Sequence, residues 1–185
     1  MARHPSGPVA VVTGAGGGLG LAVARRLAAD GARVVCAELD ETAGRAAART
    51  VGGLFVHTDP RDADMVEALY DEAYETCGGV DLAFHPAHAA IGSRAVLPYL
   101  RRHGHGVIVN GTEEPGAREL SGELARRYAR EGIRVYGLRV GVSGEAGVAL
   151  AVAAVAFLAG EGAGFLTATE FVVDDTLGKI IAAPL

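Results

Sequence analysis

At 185 residues, half of them hydrophobic and 21% charged, the chain has the make-up of one ordinary globular domain, spanning 1–185 and able to bury a substantial core. A net charge of −5 and a pI near 5.7 exclude the basic surface that nucleic-acid binding needs. No apolar run reaches the ~18 residues of a membrane span, Met1 to Pro8 lacks the apolar centre of a secretory signal, and two cysteines make no disulfide framework, which fits a reducing, cytoplasmic setting.

Near the start, the apolar run Val9 to Thr13 meets the glycine cluster Gly14 to Gly20, and a helical pattern (Leu19, Val23, Leu27) begins at once. Strand, tight glycine turn and helix in that order suit a nucleotide pyrophosphate. Glycines let the backbone come close to the phosphates, and the helix start presents unpaired N–H groups. Thr13, Gly14, Gly17, Gly18, Leu19 and Gly20 are therefore expected to hold it. The helix ends at Asp30-Gly31, Arg33 to Ala37 reads as a second strand, and Glu38 follows, 18 residues past Gly20. A carboxylate there accepts hydrogen bonds from a ribose diol and repels the 2′-phosphate of NADP. Leu39 beside it supplies no cation, so the expected cofactor is NAD(H).

Glu41 to Val51 reads as a short helix, Leu54 to His57 as a third strand, and Asp62 as the N-cap of a helix from Ala63 to Cys77. Val80 to Phe84 is a fourth strand, followed by His85-Pro86-Ala87-His88. A short helix, roughly Ser93 to Arg102, leads to a fifth strand, Gly106 to Asn110. The next helix lies within Ala117 to Arg130, and the sixth strand is Ile133 to Leu138. Ala146 to Ala159 is a helix, and Phe165 to Thr167 with Glu170 to Val173 forms a last, interrupted strand. Strands alternating with helices throughout predict an α/β fold, a Rossmann-type doubly wound parallel sheet of about seven strands with helices on both faces. A ligand crevice at the carboxyl ends of the central strands follows. The residues after strands one, four and five should face it.

These motifs resemble the short-chain dehydrogenase/reductase family nearly end to end. Thr13-Gly14-x-x-x-Gly18-x-Gly20 is similar to its cofactor signature. Asp59-Pro60-Arg61-Asp62 is similar to its acidic turn after strand three, which implies an adenine contact at Asp59 and Pro60. Leu124-Ala125 through Val135, and Phe157-Leu158 to Asp174, resemble its later segments. Pro86 and Ala87 stand in the family's Asn-Asn-Ala-Gly stretch, which implies a cofactor contact there. The departures matter as much. Where the family has Ser-Ser after strand five, this chain has Asn110-Gly111-Thr112-Glu113, leaving Thr112 or Glu113 at the catalytic serine. No tyrosine has a lysine four residues on, and sixteen of the 17 basic residues are arginine. Only five residues separate Glu113 from Glu119, so the missing Tyr-x-x-x-Lys looks like part of a deletion.

In the family that tyrosine passes a proton as hydride moves, help worth ~10²–10⁴-fold. Here the proton must come from elsewhere, and Thr112, Glu113 and His85 are the catalytic candidates. His88 and Glu114 stand beside them, the two glutamates forming a like-charged pair. His57 could edge the adenine pocket. His103-x-His105 reads as a solvated turn, and no metal is expected. The first functional reading is an NAD-dependent oxidoreductase acting on a small carbonyl or alcohol compound. A catalytically inactive cofactor-binding or partner module comes second. A non-redox enzyme for cyclisation or dehydration on the same scaffold comes third. The resemblance also implies a homodimer or higher homo-oligomer, and neither a nucleic acid nor a membrane as partner.

Overall fold

The computed structural model describes residues 7–141, 144–174 and 179–185. Most of Met1 to Pro8, and Val142 and Ser143 of the short loop after the sixth strand, lie outside them. The elements run β1 (Val9–Thr13), α1 (Gly18–Ala29), β2 (Arg33–Glu38), α2 (Glu41–Val51), β3 (Leu54–His57), α3 (Ala63–Cys77), β4 (Leu82–His85), α4 (Ala89–His103), β5 (Gly106–Gly111), α5 (Ala117–Tyr128), β6 (Ile133–Val140), α6 (Glu145–Ala159), β7 (Thr169–Asp174) and β8 (Lys179–Pro184).

One sheet has the order β3-β2-β1-β4-β5-β6-β7-β8. β1 to β7 pair in parallel, as expected of a doubly wound fold, and β8 adds an antiparallel edge. Because a strand's side chains alternate between faces, β1 sends Ala10 and Val12 to one core and Val9 and Val11 to the other. The first core is closed by Val23, Ala24 and Leu27 of α1, Ala47 and Ala48 of α2, and Ala151, Val155 and Leu158 of α6. The second is closed by Leu69 and Tyr70 of α3, Val96 and Leu100 of α4, and Leu124 and Ala125 of α5. Each such large side chain removed from water contributes about 1.5–3 kcal/mol.

Local signals end most elements where they were read. Asp62 caps α3, accepting from the N–H groups of Asp64 and Met65, and Asp40 caps α2 through Ala43 N–H. Several boundaries differ from expectation: β4 starts later, at Leu82, and takes in His85, and β6 runs on to Val140. α4 begins at Ala89 rather than near Ser93 and runs through Pro98. Pro98 and Arg94, the residue one turn before it, are both exposed, so the carbonyl freed by the missing proline N–H faces water. The interrupted last strand begins only at Thr169. Phe165 to Thr167 lies outside it, and Ala168 has a left-handed φ of 52° that breaks the extended run.

The order of strands reverses between β1 and β4. A crevice at their carboxyl ends is where such sheets take ligands.

Candidate functional site

β1 delivers the chain to the crevice through a turn set by its glycines. Gly14 has φ 65°, a conformation a side chain disfavours. At Gly20 a Cβ would collide with the Gly14 carbonyl, so only glycine lets α1 approach the turn this closely. No side chain caps α1, whose N-cap is Gly17, and the first N–H groups of a helix have no partner within it. Gly17 and Gly18 are exposed, with open space where side chains would be. Leu19 is half-buried against the first core. Thr13 is buried and donates its hydroxyl hydrogen to the Phe84 carbonyl, tying β1 to β4 instead of facing the crevice.

Glu38 closes one side of the turn. One carboxylate oxygen, Oε2, accepts from Gly16 N–H at 2.9 Å, and Oε1 accepts from Leu39 N–H at 2.8 Å and Asp40 N–H at 3.3 Å. Its oxygens are thereby oriented, and Oε2 keeps a lone pair for a further donor. Leu39 is 44% exposed beside it. His57, exposed at the end of β3, meets the Leu39 carbonyl through Nε2 at 3.0 Å and steadies this corner. Asp59 and Pro60 are half-buried. Arg61 grips Asp59 in a two-pronged pair (2.9 and 2.8 Å), which pushes its carboxyl down to about 2, with His88 adding a smaller push in the same direction.

After β4 the chain turns inward. His85 was expected to face the crevice but is 1% exposed. Its Nε2 meets the Tyr70 hydroxyl at 2.6 Å and its Nδ1 meets Asn110 Oδ1 at 3.0 Å. The Asn110 oxygen can only accept, so Nδ1 carries the hydrogen and Nε2 accepts from Tyr70. Burial lowers the pKa of this imidazole to about 4. It is a neutral core group at physiological pH, out of contact with the crevice. Asn110 extends the chain: its Nδ2 donates to Ser93 Oγ (2.9 Å) and Ser121 Oγ (3.1 Å), and Ser121 donates to the Ala117 carbonyl. Pro86 leans over the glycine turn, and Ala87 is half-buried behind it.

His88 precedes α4 with a left-handed φ of 55°, uncommon for a residue with a side chain. Glu114 holds it there: Oε2 accepts the His88 N–H at 2.9 Å and Oε1 lies 3.4 Å from Nδ1. Sequence reading raised both residues separately, and their pairing is a product of the fold. Glu113 is exposed at the tip of β5, where Oε1 accepts from Val140 N–H at 2.7 Å.

Thr112 gives its hydroxyl hydrogen to Glu170 Oε1 at 2.7 Å. Glu170, 3% exposed on β7, also accepts from Arg118 Nε at 3.1 Å, with Arg139 Nε 3.8 Å away. Gly137 makes room for Thr112, since a Cβ there would press on the Thr112 methyl group and on Leu185. Sequence reading missed Glu170, whose one signal was an acid inside an otherwise apolar strand.

All five tyrosines are engaged elsewhere. The Tyr70 hydroxyl meets His85, that of Tyr99 donates to Asp71, and that of Tyr136 donates to the carbonyls of Ala163 and Leu166. Tyr74 packs on Tyr99 and His103, and Tyr128 lies under Arg101 and Arg127.

The short chain dehydrogenase family profile matches residues 8–90. An uncharacterised oxidoreductase of Mycobacterium bovis is 40% identical over 91 residues, 47% of this chain and 37% of that protein. A 2,5-dichloro-2,5-cyclohexadiene-1,4-diol dehydrogenase of Sphingobium indicum is 27% identical over 165 residues, covering 73% of this chain and 66% of its own length. The first of these matches thus spans little more than a third of its curated relative. A short chain dehydrogenase structure from Mycobacterium smegmatis superposes with a TM-score of 0.83, over 95% of each chain at 22% identity, a likeness of fold. Among the described residues no helix is long and apolar enough to cross a membrane.

Proposed function

Because the chain belongs to the short-chain dehydrogenase/reductase family, as a diverged member without the family's Tyr-x-x-x-Lys pattern, we propose that it is an NAD(H)-binding oxidoreductase of small carbonyl or alcohol compounds whose proton handling has moved to Glu113 at the tip of β5. The observation that carries this is the bare N-terminus of α1 at the β1/β4 switch point, with the Glu38 carboxylate at the end of the next strand. Helix N–H groups around Gly17, Gly18 and Leu19 fit a pyrophosphate, and the free lone pair of Glu38 fits a ribose diol. Leu39, Asp59 and Pro60 form the adenine side, and Pro86 and Ala87 the wall toward β4. When bound, the cofactor supplies or takes up a hydride.

The chain's own residues then have to hold the substrate oxygen and move one proton. Thr112 has committed its hydrogen to Glu170 and His85 lies in the core. Glu113 is the exposed group left at the tip of β5, and both Glu114 oxygens are engaged by His88. Glu113 is thus the proton donor and acceptor, and the His88–Glu114 pair holds the loop.

The test is fluorescence titration with NADH, followed by single-turnover oxidation against a panel of aldehydes, ketones and quinones. The expected result is binding, turnover of at least one class, and a loss of ~10²–10⁴-fold in rate for Glu113→Gln with cofactor affinity unchanged. Binding without turnover identifies a cofactor-binding module instead, and no binding at millimolar NADH removes the proposal altogether.

A further inference from the structure

We propose that Asp81, His103 and His105 bind a divalent transition-metal ion of the zinc class at the amino-terminal ends of β4 and β5, opposite the cofactor crevice. The three residues come from separate segments: the turn before β4, the last residue of α4 and the residue before β5. One ligand atom from each lies within 4.8 Å of the other two, and all three side chains are half-buried. His105 Nδ1 is 3.7 Å from Asp81 Oδ1. Metal–ligand bonds of ~2.0–2.2 Å in a tetrahedral site put ligand atoms roughly 3.3 Å apart, so side-chain rotations of about 1–1.5 Å close the set.

Each ligand is already held by its neighbours. Asp81 spends one oxygen, Oδ2, on Val9 N–H at 2.7 Å, which fixes the carboxylate and leaves Oδ1 toward His105. The His103 ring fits because residue 79 is glycine, where a Cβ would strike it, and the Tyr74 ring packs against it with ring centres 5.8 Å apart. His105 sits between Gly104 and Gly106, both at positive φ, and its ring centre is 5.9 Å from that of His103. Such outer contacts are what orient ligands in metal sites. Two imidazoles and one carboxylate suit zinc, cobalt or nickel, whereas calcium and magnesium prefer oxygen donors alone. Three protein ligands leave one coordination position open. Asp81 and His105 also line a cavity of about 330 Å³ walled by Leu27, Val107 and Ala156, which has room for water beside them. The ion would fasten the end of α4 and the start of β5 to the base of β4.

The test uses untagged, chelator-treated protein titrated with Zn²⁺ by calorimetry and with Co²⁺ by visible absorption. One ion per chain is expected, with the ligand-field bands of a four-coordinate cobalt site and a higher melting temperature in Zn²⁺. His103→Ala and His105→Ala should each weaken Zn²⁺ binding by more than the ~10–100-fold that outer-shell changes cost. His57→Ala, at the far edge of the sheet, should leave it unchanged. Folding of each variant is checked by circular dichroism without metal. Absence of binding, or binding that survives both substitutions in folded protein, overturns the site, as does binding lost in His57→Ala.

Discussion

Replacing Glu38 by glutamine keeps its shape and removes its charge, and should reverse much of the coenzyme preference. A hydrogen bond to a charged acceptor contributes about 1.5–3 kcal/mol against 0.5–1.5 for a neutral one, so a diol on glutamine loses about 1–2 kcal/mol. NADH affinity then falls about tenfold. For NADPH the sign is opposite. The 2′-phosphate carries about −1.5 to −2 charges. At about 5 Å from a half-exposed carboxylate, with an effective dielectric of about 40–80, repulsion amounts to about 1.5–3 kcal/mol. Its removal tightens NADPH about 10- to 100-fold, so the preference ratio moves by about 100- to 1,000-fold. Part of the NADPH gain should vanish at high salt, because screening acts on repulsion and not on shape. Glutamine can accept on one side only, so either Gly16 N–H or the Leu39 and Asp40 N–H groups turn to water, costing about 1 kcal/mol and about 2–4 °C in Tm. Fluorescence titration of both cofactors at two ionic strengths, beside a melting curve, decides the matter. Parent protein that binds NADPH as tightly as NADH, or a glutamine variant with an unchanged ratio, would refute the reasoning.

The depressed pKa of His85 makes stability pH-dependent. The folded ring stays neutral down to about 4, against 6.5 for a free histidine, while the unfolded chain takes up the proton. Stability should therefore fall as pH drops from about 6.5 to about 4, by roughly 1.4 kcal/mol per unit from this group. His85→Leu should flatten that part of the urea-midpoint profile while lowering stability at pH 7, since Tyr70 and Asn110 lose a partner; an unchanged acid slope sinks the assignment. At the glycine turn, Gly20→Ala should lower Tm by about 5–10 °C through overlap with the Gly14 carbonyl. Gly17→Ala, with open space around it, should fold normally and bind NADH more weakly; equal melting of the two variants contradicts this placement. Glu170→Gln should cost about 1 kcal/mol, because Thr112 and Arg118 exchange a charged acceptor for a neutral one while the Arg118 that remains is half exposed to water, and an unchanged denaturation midpoint would mean that the pair contributes nothing.

What the residues announce in advance is whatever is written locally. Apolar runs mark the strands, Asp62 and Gly78 bracket α3, and the glycine turn sits on a strand-to-helix junction that only a βαβ unit provides. β8 escaped notice because Lys179 to Pro184 is short and shows no clear alternation. The direction of His85 was hidden for a related reason. β4 is buried on both faces, so period two cannot tell crevice from core. The Glu170–Thr112 contact joins residues 58 positions apart, and no local pattern encodes it. In the same way, His88 and Glu114 looked like two independent candidates until the fold put one behind the other.

The buried hydroxyls, amide and imidazole running from Tyr70 through His85 and Asn110 to Ser93 and Ser121 join α3, α4 and α5 to β4 and β5. Opposite them, α1, α2 and α6 are held mainly by alanine, valine and leucine, contacts that slide without a directional penalty. The two halves of the sandwich should therefore breathe differently. Amides of α4 and α5 would exchange with deuterium together, as one latch that must open all at once, while those of α6 come free turn by turn. Adjustment to a bound dinucleotide would then fall to α1 and α6, leaving the latched side as a rigid backrest.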